Sequence, residues 1–582
     1  MSDTFDRYRS PDAPVPDETW VWNMYGAGVE NIGRDGKPER VPVPEPGPDQ
    51  LLVRVDAVGM CYSDVKLIKQ GGNHPKLYHR DLSKNPTRLG HEATHTVMKV
   101  GADLQDQFHP GQRLALQPDI YQDGKSTAYG YTVPGGLIQF HLIGPEVLDA
   151  DAGSYVIPLE GDIGYAEAAL TEPWACVEAA YTQRRRLRPQ SEGTMWIVGH
   201  PGLSSEYRFS SGLDAPARVV VTDVPPAVLD IVQGEAADRE LDVLERNGLT
   251  PADYQDLSME LTDGDGFDDI VVLDPRSAEM VSEAAGLIAR RGTFNLVGSK
   301  PLDDHVQIDV GRIHYDYTAY VGNQGPDIAA SYGERRNRCE LRSGGTAVFV
   351  GAAGPMGQMH VQRAIELPEG PSLLIASDVD PERLAVLEES FLALAEERGK
   401  RLIPFNPAEA QESLREVVMR ETGQKGADDV VVSVPAASLM ASSAEVMASD
   451  GMLVLFAGVT TGTMAPLDMS HVYLHNAQFT GTSGSTLDDQ RMVIRKTLAG
   501  DLSPNRSVGA IGGIEAAQDS VRAMMEGNYA GKVVVFPQVT GVPITGLSEL
   551  KETLPLVAEQ LGPGDVWTSE AEQALIEEYW NP

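Results

Sequence analysis

Cysteine is nearly missing from this 582-residue chain: Cys61, Cys176 and Cys339 are the whole set. Three cysteines cannot build a disulfide framework or a four-cysteine zinc loop. Positive charge is also short. Lys and Arg total 47 against 85 Asp and Glu, a formal net charge of -38. That balance excludes non-specific binding to nucleic acid or to an anionic membrane surface. Long apolar runs are lacking too, and none reaches the roughly 20 residues of a membrane-spanning helix. The start, Met1-Ser-Asp-Thr-Phe-Asp6, has no basic stretch followed by an apolar one, so no signal peptide is read there. The expectation is a cytoplasmic protein with a small-molecule substrate and no nucleic-acid or membrane partner.

What is present points to several domains. The chain is too long for one core, and its 42% apolar content fills the cores it needs. Residues 1–20 are polar and proline-rich and read as a loosely held arm. Gln50-Leu-Leu-Val-Arg-Val-Asp-Ala-Val58 alternates like a strand with one wet and one buried face, and it delivers Cys61. Residues 71–89 read as a loop, Thr94 to Val100 as another strand, and short strands continue to about residue 160. A helix is expected from Ala166 to about Tyr181, interrupted at Thr171 to Pro173.

The texture then changes to apolar strands spaced by helical segments, the pattern of a parallel α/β sheet. This pattern occurs twice. Gly193-Thr-Met-Trp-Ile-Val-Gly199 matches Gly345-Thr-Ala-Val-Phe-Val-Gly351. Gly266-Phe-Asp-Asp-Ile-Val-Val272 matches Gly426-Ala-Asp-Asp-Val-Val-Val432. Val221-Thr-Asp-Val224 matches Ala376-Ser-Asp-Val379, and Asp309 and Gly322 match Asp468 and Gly481. Matches in one order at a nearly constant offset indicate an internal duplication.

In the second copy, Gly351-Ala-Ala-Gly354-Pro355-Met356-Gly357 follows a strand and opens a helix. Glycines there let the backbone approach a pyrophosphate seated on the helix N-terminus. Asp378 ends the next strand, where an acid can take a ribose hydroxyl pair. It favours NAD over NADP, because a 2′-phosphate would be repelled. The alternative is a tight turn needed only for packing. The first copy reads Gly199-His-Pro-Gly202-Leu-Ser-Ser205, with serine at the third glycine position and a poorly formed helix after it. It is expected to have lost or weakened its nucleotide site, although Asp223 keeps the acid.

Cys61, His91 and Glu92, with Glu172 from Thr171-Glu-Pro-Trp174, offer the mixed donors of a catalytic zinc, which takes three protein ligands and leaves one position open. Singly, Cys61 reads as a small buried apolar residue, His91 as a satisfied core histidine, and Glu172 as part of a helix start. Together, beside a nucleotide-binding pattern, the metal reading is preferred.

Gly59-Met-Cys-Tyr-Ser-Asp-Val65, Gly90-His-Glu92, Glu172-Pro173 and Gly351 to Gly357 resemble the zinc-dependent medium-chain alcohol and polyol dehydrogenases, especially the sorbitol dehydrogenase-like branch. The 71–89 loop and Gly481-Thr-Ser-Gly-Ser485 look similar to the sugar-phosphate reductases of that family. The resemblance implies an α/β protein with a β-rich GroES-like catalytic domain and a doubly wound, Rossmann-like domain; the repeat adds a second Rossmann-like domain in tandem, the largest departure from the family. The expected boundaries are 1–190 for the zinc-binding part, 191–340 and 341–487 for the two Rossmann-like copies, 488–537 for a return to the catalytic domain, and 538–582 for an acidic tail whose Trp567 and Trp580 dock. It implies one Zn2+ on Cys61 and His91, with Glu92 or Glu172 exchanging as carboxylate ligand, and Ser63 on the substrate oxygen. The family's usual relay histidine is replaced by Lys66, so Lys66 or His95 is expected to carry the proton outward.

The function expected is hydride transfer between a nicotinamide cofactor and a secondary alcohol or ketone of a polyol, sugar or sugar phosphate. The alternative is a nucleotide-binding scaffold or regulatory protein without catalysis. A zinc-free quinone-type reductase would have no use for Cys61, His91 and Glu172 together. The loop 66–88 is locally basic, so Arg80 and Lys84 are expected to select an anionic substrate. The strands Asp316 to Gly322 and Ala477 to Ser483 are expected to pair within one chain, since an unpaired edge is a liability. The assembly would then be an internal pseudo-dimer or a homo-oligomer.

Overall fold

The computed structural model describes residues 3–482 and 484–580; Met1, Ser2, Ser483, Asn581 and Pro582 lie outside them. The chain divides into two compact units. The first comprises residues 1–179, 354–359 and 484–582, and the second residues 180–353 and 360–483. Among the described residues no helix is long and apolar enough to cross a membrane.

The first unit is β-rich. Its central strand, Leu51–Gly59, pairs antiparallel with Glu92–Val100 on one side and with Lys532–Phe536 on the other. Residues 488–537 therefore return to this unit. All nine residues of Leu51–Gly59 are buried, which corrects the expected wet face. The two polar residues on that face, Arg54 and Asp56, pair with each other at 2.7 Å. A buried ion pair is tolerated only when its remaining donors and acceptors are satisfied. The N-terminal arm supplies them: the Tyr8 hydroxyl donates to Asp56 at 2.6 Å, and Arg54 donates to the Tyr8 carbonyl at 2.6 Å. The arm is thus the docked helix Asp3–Arg9 rather than a loose segment. The tail docks as well. Trp567 is buried, and the Glu572 carboxylate accepts from the backbone amides of Tyr165 and Ala166 at 2.6 and 2.8 Å. Those are the first, otherwise unpaired, donors of the helix Tyr165–Ala169. A second helix, Thr171–Ala179, follows directly.

The second unit is organised by one twelve-stranded sheet. Thr194–Val198, Arg218–Thr222, Asp242–Glu245, Phe267–Leu273, Ile288–Val297 and Ala319–Asn323 make its first half. Thr346–Val350, Leu373–Ser377, Arg401–Phe405, Ala427–Val432, Met447–Leu455 and Gln478–Gly481 make the second. Numbered along either half, the spatial order is 3-2-1-4-5-6, the doubly wound order. The repeated motifs do the same job in both halves. Asp268 and Asp428 each accept the first amide of the leading strand, from Thr194 and Thr346, at 2.9 Å. Asp269 and Asp429 are buried against Arg186 and Arg338. The halves meet where Ala319–Asn323 runs antiparallel to Gln478–Gly481, Tyr320 opposite Phe479. A ribbon of Val306–Asp309 with Met464–Leu467 ties them a second time.

Candidate active site

The site in the first unit grows out of strand register. Glu92 faces Gly59 across the sheet, and the chain turns from Gly59 through Met60 to Cys61, which precedes the helix Tyr62–Gln70. A side chain at Gly59 would meet Glu92 Oε2 at 2.1 Å, so glycine is required for that carboxylate to lie where it does. Gly130 has the same relation to His91, with an added Cβ 2.9 Å from the His91 Cβ and a φ of +84°.

Cys61, His91 and Glu92 bring one sulfur, one nitrogen and one oxygen to within 4.8 Å of one another. Asp64, fully buried, organises the group. Its Oδ2 accepts from the Cys61 amide at 3.2 Å, and its Oδ1 lies 3.2 Å from His91 Nδ1. A carboxylate on one ring nitrogen leaves the other free to ligate, the usual outer partner of a metal-bound histidine. Burial alone would lower the His91 pKa, but Asp64 and Cys61 override it and raise it well above the ordinary value. The Ser63 hydroxyl donates to Cys61 Sγ at 3.1 Å and lies 3.3 Å from His91 Nε2.

Glu92 is held by Lys532, whose ammonium lies 2.5 Å from Oε1. Glu92 Oε2 is buried with no hydrogen-bond partner. An unpaired buried carboxylate oxygen is costly, and a cation between it, Cys61 and His91 would satisfy it. The donor set therefore fits zinc, which accepts thiolate, imidazole and carboxylate together. Glu172 is buried nearby on Thr171–Ala179 and accepts from the Cys176 thiol at 3.9 Å, but it is not part of the 4.8 Å cluster. Burial, partly opposed by the His91 and Lys532 charges, pushes its pKa up to about 7.

Lys66 is exposed on the helix Tyr62–Gln70. His95 is not a proton carrier from Ser63. Side chains alternate along a strand, and three residues from Glu92 places His95 on the opposite face. There its Nε2 lies 3.1 Å from the Tyr129 hydroxyl, which lies 3.0 Å from His141 Nε2. Arg80 is committed to protein carbonyls. Its guanidinium donates to the Asn85, Pro86 and Thr132 carbonyls and to the Asn85 side chain, so it staples its own loop. Lys84 is exposed and paired with Asp81 at 3.1 Å.

Gly351, which follows the strand Thr346–Val350, has a φ of +75°, and an added Cβ would sit 2.4 Å from a Val434 methyl. The helix Pro355–Glu366 follows, carrying Met356 and Gly357 in its first turn after Gly354. The Asp378 carboxylate accepts from the amides of Ala353 at 2.9 Å and Asp380 at 3.1 Å, so acid and glycine turn are linked directly. The first half differs. Among the described residues no helix lies between Thr194–Val198 and Arg218–Thr222. Asp274 stands where the second half has Val434, and its carboxylate lies 3.2 Å from His200 Nε2. A phosphate at that turn would meet the Asp274 carboxylate, itself paired with Arg276 at 2.7 Å, instead of an apolar wall. Asp223 is instead engaged with the Gly248 amide, at 3.1 Å.

The alcohol dehydrogenase GroES-like domain family matches residues 47–181. The L-sorbose 1-phosphate reductase of Klebsiella pneumoniae is 29% identical over 310 residues, 50% of this chain and 73% of that protein. The uncharacterized protein YggP of Escherichia coli K12 is 22% identical over 550 residues, 92% of this chain and 93% of its own length. A solved structure from Sinorhizobium meliloti 1021, described as a candidate alcohol dehydrogenase, shares the fold with a TM-score of 0.50 at 14% identity, covering 90% of this chain and 100% of that one. Residues 47–181 are thus similar to an alcohol dehydrogenase GroES-like domain, and the chain is similar to a sugar-phosphate reductase over 310 residues.

Proposed function

We propose that the protein is a zinc-dependent oxidoreductase that moves a hydride between NAD and the secondary alcohol or ketone carbon of a polyol, sugar or sugar phosphate. The observation that carries this reading is the convergence of Cys61, His91 and Glu92 within 4.8 Å, with Glu92 Oε2 buried and unpaired. Cys61, His91 and one carboxylate, Glu92 or Glu172, would hold the ion. Bound there, zinc supplies a Lewis acid that polarises the substrate oxygen.

The chain's own residues do the rest. Asp64 fixes the His91 ring and so the direction of its free nitrogen. Ser63, beside both Cys61 and His91, takes the hydroxyl proton of the substrate. Lys66, three residues on and so on the same face of that helix, has donors but no acceptor, so it orients the solvent water that takes the proton from Ser63. Gly351, Gly354, Pro355, Met356 and Gly357 cradle the cofactor pyrophosphate, and Asp378 takes the adenosine ribose hydroxyls. An acid at that place supports NAD over NADP.

The test is a metal analysis of the purified chain together with a panel of polyols and sugar phosphates, each offered with NAD and with NADP. The expected result is about one zinc per chain, as one open catalytic site implies, and turnover that Cys61→Ser abolishes together with the metal. Full turnover by a metal-free preparation would overturn the reading.

A further inference from the structure

The loop between the helix Tyr62–Gln70 and the strand that carries Glu92 brings a cationic group to Tyr131, beside the Cys–His–carboxylate set. Tyr131 is buried. Its ring centre lies 6.0 Å from that of His91 and 5.2 Å from that of His74, and the Lys76 ammonium stands 5.0 Å from it. The Tyr131 ring thus has His91, His74 and the Lys76 ammonium all within 6.0 Å of its centre.

We propose that Lys76 and His74 form a subsite for the phosphate of a phosphorylated ketose or polyol whose carbon chain lies on Tyr131. This deepens the polyol reading above and rests on it for the position of the sugar. Lys76 is held 2.6 Å from Asp119. Asp119 is itself fixed, since its amide donates to Gln117 at 2.6 Å, and Gln117 donates in turn to Ser485 at 3.0 and 3.1 Å. An ammonium has three donors, so one bond to Asp119 positions it and leaves two for a ligand. His74 Nδ1 accepts the Lys76 amide at 3.2 Å, which turns the Nε2–H outward as a further donor. The lysine charges reach this ring: burial first, then Lys76 and Lys66, lower the His74 pKa. Two lysines against one aspartate leave a net positive spot in a chain of -38, and charge-assisted bonds to phosphate are the strong ones. Arg80 and Lys84, the more conspicuous cations of the loop, are committed to their own loop and to Asp81.

The test is calorimetric titration of the full chain with fructose 1-phosphate, fructose and inorganic phosphate. We expect fructose 1-phosphate to bind about tenfold tighter than fructose, the worth of one charge-assisted contact, and inorganic phosphate to compete with it. Lys76→Gln should remove most of that preference. The exposed Lys66→Gln, which leaves the fold intact, should lower it in the same direction, and Lys84→Gln should leave it as it is. Equal binding of sugar and sugar phosphate, no binding of either phosphate probe, or a full preference retained in both Lys76→Gln and Lys66→Gln would overturn the subsite. Lys76-dependent phosphate binding without turnover of any polyol would instead sink the oxidoreductase reading alone. Turnover of sugars with no phosphate preference would sink the subsite alone.

Discussion

Lys532 and Glu92 meet inside the β-rich unit, ammonium to carboxylate at 2.5 Å, with side chains 4% and 0% exposed. They are 440 residues apart in sequence. The pair joins the C-terminal return strand to the strand that follows His91. It also leaves one Glu92 oxygen aimed at Cys61 and His91. Removing the cation should therefore act twice. Lys532→Met should lower the unfolding free energy by about 3–5 kcal/mol, the cost of stranding a buried charge. It should also change zinc affinity, because Glu92 would no longer be held. Denaturant midpoints and a metal titration read the two effects separately. A stable variant with unchanged metal binding would show the pair to be incidental.

Asp378 and Asp223 occupy matching ends of the two halves but different surroundings. Asp378 grips the glycine turn through the Ala353 amide, whereas Asp223 bonds to Gly248. Calorimetry should find about one tight NAD per chain, from the one intact glycine fingerprint. Asp378→Ala should weaken NAD about tenfold or more, a lost pair of hydrogen bonds to a charged group, and narrow the margin over NADP. Asp223→Ala should change neither. Two equal sites would contradict this assignment.

Three buried histidines should make the protein acid-sensitive. Burial lowers the pKa of His95 to about 4 and of His360 to about 3, and it lowers that of His141 well below the usual value. An unfolded histidine titrates near 6.5. Below that pH the unfolded chain binds protons that the folded chain refuses, so stability falls as the medium is acidified from 6.5 toward 4 and 3. The slope is about 1.4 kcal/mol per pH unit for each such histidine. Denaturant midpoints between pH 6.5 and 5 should fall more steeply for the natural chain than for His360→Asn, whose side chain cannot titrate. Parallel slopes would refute the account.

Much of the fold was legible because it was written twice. The Gly-Thr and Asp-Asp motifs are local instructions, and each performs in both halves the same amide and arginine contacts. Cys61, His91 and Glu92 were readable from ligand chemistry and from the glycines beside them. Asp64 could have been found, since it sits three residues after Cys61 at a helix start, where an acid commonly caps. Lys532 could not, because no spacing rule connects residues that meet only through sheet register. His95 and Arg80 misled for a related reason. Composition puts them beside the site, but strand parity turns one to the far face, and loop carbonyls consume the other. Polar, proline-rich composition makes the N-terminal arm read as loose, because the buried Arg54–Asp56 pair that docks it is reached only through the fold.

The seam between Tyr320 and Phe479 joins strands of one polypeptide. Contacts of that kind between separate subunits are governed by mass action and loosen as the protein is diluted. Here the two edges are tethered, so their pairing follows an effective concentration set by the intervening chain. The extended sheet is therefore present at any dilution, down to a solitary molecule.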